Sequence, residues 1–124
     1  MNINIKGLTD ISNKKEKTIL GLMSGTSLDG LDIALCKIEG HGKSTRLVLQ
    51  RFITVPYNDD FKNEVRSVFS KEMVNLQKLC LLNEWIAKQH AAMINECLKE
   101  WNIKSSEVDL IASHGQTIYH APLS

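Results

Sequence analysis

Two segments of the chain carry residues whose types and spacing suit chemistry. The first is Gly21-Leu22-Met23-Ser24-Gly25-Thr26-Ser27-Leu28-Asp29-Gly30-Leu31-Asp32. Small residues let a backbone approach a ligand closely. Successive N–H groups, with the hydroxyls of Ser24, Thr26 and Ser27, offer donors to phosphate oxygens. Asp29 and Asp32 supply the hard oxygen ligands that suit Mg²⁺, directly or through water. Two sharper motifs are excluded. A Walker A loop needs Lys just before its Ser or Thr, and none stands there. A nucleophile elbow needs G-x-S-x-G, and Gly25-Thr26-Ser27-Leu28-Asp29 ends in Asp. The alternative reading is an ordinary long hairpin loop in which Asp29-Gly30 only turns the chain. On composition alone that plainer reading is the stronger.

The second segment is Ser113-His114-Gly115-Gln116-Thr117-Ile118-Tyr119-His120-Ala121-Pro122. His114 and Gln116 can hydrogen-bond a polyhydroxylated ligand, and Gly115 removes side-chain bulk beside them. A metal site on His114 and His120 lacks a third ligand. A plain turn, with His114 satisfied by nearby backbone, competes evenly with the ligand reading. His41 lies between two glycines and reads as exposed. His90 falls within a helical stretch and reads as packed or solvated, not catalytic. Trp85 and Trp101 read as core or partner contacts.

These segments need elements to hold them. Thr18–Met23 is a short apolar run, the pattern of a buried strand, and Leu31–Ile38 is a second, with Leu31, Ile33 and Leu35 on one face. The glycine-bearing loop between them makes a hairpin. Arg46–Val55 is a third strand, stopped by Pro56. Asn58 or Asp59 caps a helix whose Phe61, Val65, Val68 and Phe69 share one face. From Val74 to Trp101, Leu79, Leu82, Ile86, Met93, Ile94, Cys97, Leu98 and Trp101 keep helical spacing. Unbroken, that helix would run about 42 Å, and the sequence leaves open whether it is continuous or has a bend or short gap. Val108–Ala112 is a fourth strand, with Ser113–Gln116 at its carboxyl end, where open α/β sheets place ligands. Met1–Lys17 reads as a loose polar extension, with a short strand at Ile3–Ile5. The order strand-strand-strand-helix-helix-strand is α/β, the opening of a ribonuclease-H-like (actin-like ATPase) layout with a helical crossover to a parallel strand.

The chain has 124 residues, enough for one domain. Fifteen basic residues against fourteen acidic ones leave a net charge of +1, so no nucleic-acid footprint follows. Cys36, Cys80 and Cys97 are odd in number and scattered, reading as reduced thiols in a cytoplasmic protein. No apolar run is long enough to span a membrane, and the N-terminus lacks a signal peptide's apolar stretch.

Together, Gly21–Asp32 (GLMSGTSLDGLD) and His114–Pro122 (HGQTIYHAP) resemble the N-terminal signatures of the anhydro-N-acetylmuramic acid kinase family. The resemblance covers Thr18 to the end and leaves residues 1–17 outside it. It implies a sugar kinase of the hexokinase and actin superfamily, whose ATP lies in the cleft between two ribonuclease-H-like domains. The implied reaction opens the anhydro bridge of 1,6-anhydro-N-acetylmuramic acid with water and phosphorylates O6 from ATP with Mg²⁺. N-acetylmuramate 6-phosphate results, in cytoplasmic cell-wall recycling. By motif, Gly25, Thr26, Ser27, Leu28, Asp29, Gly30, Leu31 and Asp32 form the ATP-phosphate loop, with Asp29 and Asp32 at Mg²⁺. His114, Gly115, Gln116 and Thr117 line the sugar. The resemblance also implies a homodimer of the full-length protein.

The family's general base lies in an acidic motif expected beyond Ser124, so no catalytic residue is assigned here and the chain alone is expected to be silent. An exposed sheet edge and uncovered surface should make it associate. The competing reading is a non-catalytic module that binds a nucleotide or a partner chain. Tight saturable Mg-ATP binding by the short chain favours that module.

Overall fold

The computed structural model of the chain describes residues 2–123. Strand β1 (Glu16–Ser24) pairs antiparallel with β2 (Gly30–Glu39), and β2 pairs antiparallel with β3 (Arg46–Pro56). Strand β4 (Leu110–Gln116) runs parallel to β1, giving the sheet order β3-β2-β1-β4. The mixed α/β architecture matches the expected partial actin-like layout. Hairpins join β1 to β3, and the return to a parallel β4 requires the long helical crossover.

One face of the sheet is the core. Leu20, Leu22, Leu31, Ile33 and Leu35 point into it, as strand alternation requires. Two helices cover that face. The shorter one (Asp59–Arg66) places Phe61 and Val65 inward, and Asn58 caps it by accepting from the Phe61 N–H at 2.9 Å. The longer one (Leu76–Glu100) is capped by Asn75, which accepts from the Lys78 N–H at 3.0 Å. It buries Leu82, Ile86, His90, Ile94, Cys97 and Leu98 along one stripe.

Two expectations fail, and one open question is answered. The fourth strand is Leu110–Gln116 and not Val108–Ala112, so Ser113–Gln116 lies within it. The long helix is a single continuous element of 25 residues. No Gly or Pro interrupts it, and the i, i+4 stripe from Leu82 to Leu98 keeps one register against the sheet, so nothing forces a bend. The N-terminal segment is not a loose leader with a strand at Ile3–Ile5. It is helix α1 (Ile3–Ser12), which makes the two later helices α2 and α3. Asn2 caps it by accepting from the Asn4 N–H at 2.8 Å, and Lys6 pairs with Asp10 one turn on at 2.7 Å. No residue of α1 is buried.

The opposite sheet face is apolar and uncovered by α2 or α3. Its rows run Leu49, Cys36, Ile19, Leu110 and then Phe52, Ala34, Gly21, Ala112 across the four strands. Phe52 is 58% exposed and Leu49 55%.

Candidate functional site

Because β1 and β4 are parallel neighbours, their carboxyl ends lie at the same edge of the sheet. The loop after β1 (residues 25–29) and the His114–Thr117 segment therefore sit side by side, although about ninety residues separate them. Ser24 pairs in register with Gln116 after an irregularity between Leu22 and Ser24.

The β1–β2 loop divides its labour. Thr26, Ser27 and Asp29 are exposed and Gly25 is half-buried. Leu28 turns the other way. It is 3% exposed, sits in the core, and takes a left-handed φ of 55°. That conformation is strained for leucine, and the buried side chain is what holds it. Leu31 is fully buried in β2. Leu28 and Leu31 thus offer a ligand only backbone. Gly30 is needed for packing, since a Cβ there would lie 2.4 Å from the Val55 carbonyl oxygen of β3. Gly25 has no left-handed φ, and a Cβ there would find no protein atom within 4 Å.

Asp32 is half-buried on the uncovered face and accepts from the Thr54 hydroxyl at 2.6 Å through Oδ1. Asp32 and the exposed Asp29 both carry hard carboxylate oxygens of the kind that suits Mg²⁺, and no cluster of three His, Cys, Asp or Glu stands among the described residues. Two carboxylates suit an ion held mainly by substrate phosphates and water.

Ser24 corrects the sequence reading. It is completely buried, so its hydroxyl is not presented to phosphate. It contacts Tyr57 Oη at 2.5 Å and Gln116 Oε1. Gln116 is likewise committed inward: its Nε2 donates to the Gly25 carbonyl at 3.2 Å and the Thr117 carbonyl at 2.9 Å. Tyr57 Oη also meets His90 Nε2 at 2.9 Å. The Tyr57 backbone N–H donates to the Asp29 carbonyl at 3.1 Å. His114 is exposed in β4, and Gly115 adopts φ 77° with its N–H donating to Ser113 Oγ at 3.0 Å. His120 is exposed as well.

Burial pushes the Tyr57 hydroxyl above the ordinary tyrosine value, and the Asp32 charge adds to this. Burial lowers the His90 imidazole, which favours its neutral form. Sequence reasoning missed Tyr57, which carries no spacing signal. His90 reads from sequence only as packed or solvated; the signal that could have singled it out is a polar residue on an apolar stripe, four residues from both Ile86 and Ile94.

A cleft of about 540 Å³ opens between α3 and the end of β4, lined in part by Leu82, Ile86, His90, Ser113 and Gln116. A larger groove of about 840 Å³ between α2 and the start of α3 holds none of the residues singled out from sequence for the two loops. Its walls include Asp60, Asn63 and Lys78, and it lies away from both loops.

A family model described as anhydro-N-acetylmuramic acid kinase matches residues 17–124. The chain belongs to the anhydro-N-acetylmuramic acid kinase family. It is 54% identical over 123 residues to the anhydro-N-acetylmuramic acid kinase of Pseudoalteromonas atlantica, covering 99% of this chain and 31% of that protein. The kinase of that name from Pseudoalteromonas translucida is 48% identical over 124 residues, again 31% of its length. One from Bacillus cereus is 47% identical over 104 residues, 84% of this chain and 27% of the relative. The chain thus spans about a third of the length of the curated relatives it matches. No helix among the described residues is long and apolar enough to cross a membrane.

Proposed function

We propose that this chain forms the N-terminal part of a cytoplasmic sugar kinase. That kinase would use ATP and Mg²⁺ to open and phosphorylate 1,6-anhydro-N-acetylmuramic acid, yielding N-acetylmuramate 6-phosphate for cell-wall recycling. The observation that carries this reading is the meeting of the two loops at the ends of parallel β1 and β4, joined through Ser24, Gly25 and Gln116. The backbone of Gly25–Asp32 and the hydroxyls of Thr26 and Ser27 would bind the ATP phosphates. Gly25 leaves room for that approach, since no protein atom requires the missing side chain. Bound Mg²⁺ at Asp29 and Asp32 would neutralise charge that builds on the transferring phosphoryl group. His114 would face the sugar, with Gly115 and Thr117 shaping the wall and Gln116 holding it.

A general base must reach the water it activates. Asp29 and Asp32 are engaged at the phosphates in this reading, so the base comes from a part of the protein other than these residues. No residue of the chain is assigned as that base in this reading, so the purified 124-residue chain is expected to release no ADP with the anhydro sugar. Replacing the matching segment of the Pseudoalteromonas atlantica kinase with this chain should give a chimera that releases ADP only when the sugar is present. A folded chimera without sugar-dependent ADP release overturns the proposal.

A further inference from the structure

The contacts of Ser24 and Gln116 fix the direction of a chain of hydrogen bonds. Gln116 Nε2 faces two carbonyl oxygens, so it is the amide nitrogen and Oε1 faces Ser24. A carboxamide oxygen only accepts, so the single Ser24 hydroxyl proton is donated to Gln116. Ser24 Oγ must then accept from the Tyr57 hydroxyl. With its one proton so used, Tyr57 Oη must accept from His90 Nε2–H. The donors run one way, from His90 on α3 through Tyr57 and Ser24 to Gln116, whose own N–H groups end on Gly25 and Thr117.

His90 lies on α3, Ser24 on β1, Gln116 on β4 and Tyr57 in the connection from β3 to α2, and Ser24, Tyr57 and His90 are all buried. Tyr57 is further fixed by stacking on Phe61, with ring centroids 3.8 Å apart. Apolar residues of the same shape could fill the core equally well without polar desolvation. What the polar chain adds is a link: with the Gln116 amide facing the Gly25 and Thr117 carbonyls, it ties that amide through Ser24 to Tyr57 and His90. The Tyr57 backbone holds the other end of the same loop at Asp29.

We propose that Tyr57 and His90 are positioning residues that fix the β1–β2 loop against the His114–Thr117 segment by orienting Ser24 and Gln116. The role assigned to those loops rests on the kinase reading above; the positioning itself does not.

The first test reads the unsubstituted site. Nitrogen-15 NMR of the histidine-labelled chimera at neutral pH, with the His90 signal assigned by its loss in His90→Gln, should show a neutral His90 with its proton on Nε2. A proton on Nδ1 alone overturns the proposal. The second test compares Tyr57→Phe, His90→Leu and His90→Gln. Tyr57→Phe keeps the stacked ring, and His90→Gln restores an N–H donor. Tyr57→Phe and His90→Leu should shift the Gln116 side-chain amide and the Gly25–Gly30 backbone amides while the core resonances of α3 and β2 stay in place. His90→Gln should return the loop resonances toward their original positions. Loop resonances that move no more than core resonances in the folded variants overturn the proposal. Should Tyr57→Phe or His90→Leu fail to fold, the His90 tautomer still decides. Sugar-dependent ADP release by the chimera is read separately, so failure of the kinase reading is distinct from failure of the positioning.

Discussion

Gly25 opens the β1–β2 loop and Gly30 begins β2, five residues on, and they differ in what a methyl group would meet. At Gly30 it would strike the backbone of β3. Gly30→Ala is therefore expected to lower stability by about 1–3 kcal/mol, measured by denaturant unfolding. At Gly25 it would meet no protein atom, so Gly25→Ala should leave stability within about 1 kcal/mol. The glycines look alike in sequence because the difference lies in a strand twenty-five residues away. His90 makes a prediction of its own. Its folded pKa is lowered by burial, so the neutral form is favoured in the fold. Its contribution is present above the unfolded value of about 6.5 and is lost as pH falls through the lowered folded value. The unfolding free energy should fall on acidification below about pH 6.5, and His90→Gln should flatten that dependence. An equal slope in the variant would show that other groups cause it.

At the scale of elements, strands and caps were legible because local rules decide them. Alternation marked Leu31, Ile33 and Leu35; Asn58, one of the two residues read as the cap, caps α2; and the stripe from Leu79 to Trp101 gave α3 its face. Helix α1 was not legible. Its polar residues look like a leader, and it is set by the Asn2 cap and the Lys6–Asp10 pair, without a core-facing stripe. The loops were legible as loops, and their juxtaposition follows only from the parallel β1–β4 pairing. The start of that pairing is held by Asp109. It accepts from Lys14 Nζ at 2.5 Å and from the Thr18 N–H at 2.8 Å. The Lys14 contact, the Thr18 N–H and the nearby positive charges hold its carboxyl below the ordinary aspartate value. That stability is present above the unfolded value of about 3.9 and is lost as pH falls through the folded value. Asp109→Asn should thus lower the melting temperature at pH 6 and converge with the parent near pH 2. A constant gap across that range would contradict the assignment.

At the scale of the molecule, the sheet is finished on one face and open on the other. Phe52, Leu49, Met23 and Leu110 are exposed or nearly so on the uncovered side, and β3 and β4 are both edges. Such a surface associates. Sedimentation of the 124-residue chain should show concentration-dependent association, and Phe52→Glu should reduce it. The central claim is that the ends of β1 and β4 form one site, with phosphates on the first loop and sugar on the second. It is tested most directly by the Michaelis constants of the chimera. Gly25→Ala should raise the KM for ATP by about tenfold, equivalent to about 1.4 kcal/mol, while that for the sugar changes little. His114→Ala should do the reverse. If neither constant moves in the active variants, or if the two effects are exchanged, the assignment of these loops is wrong.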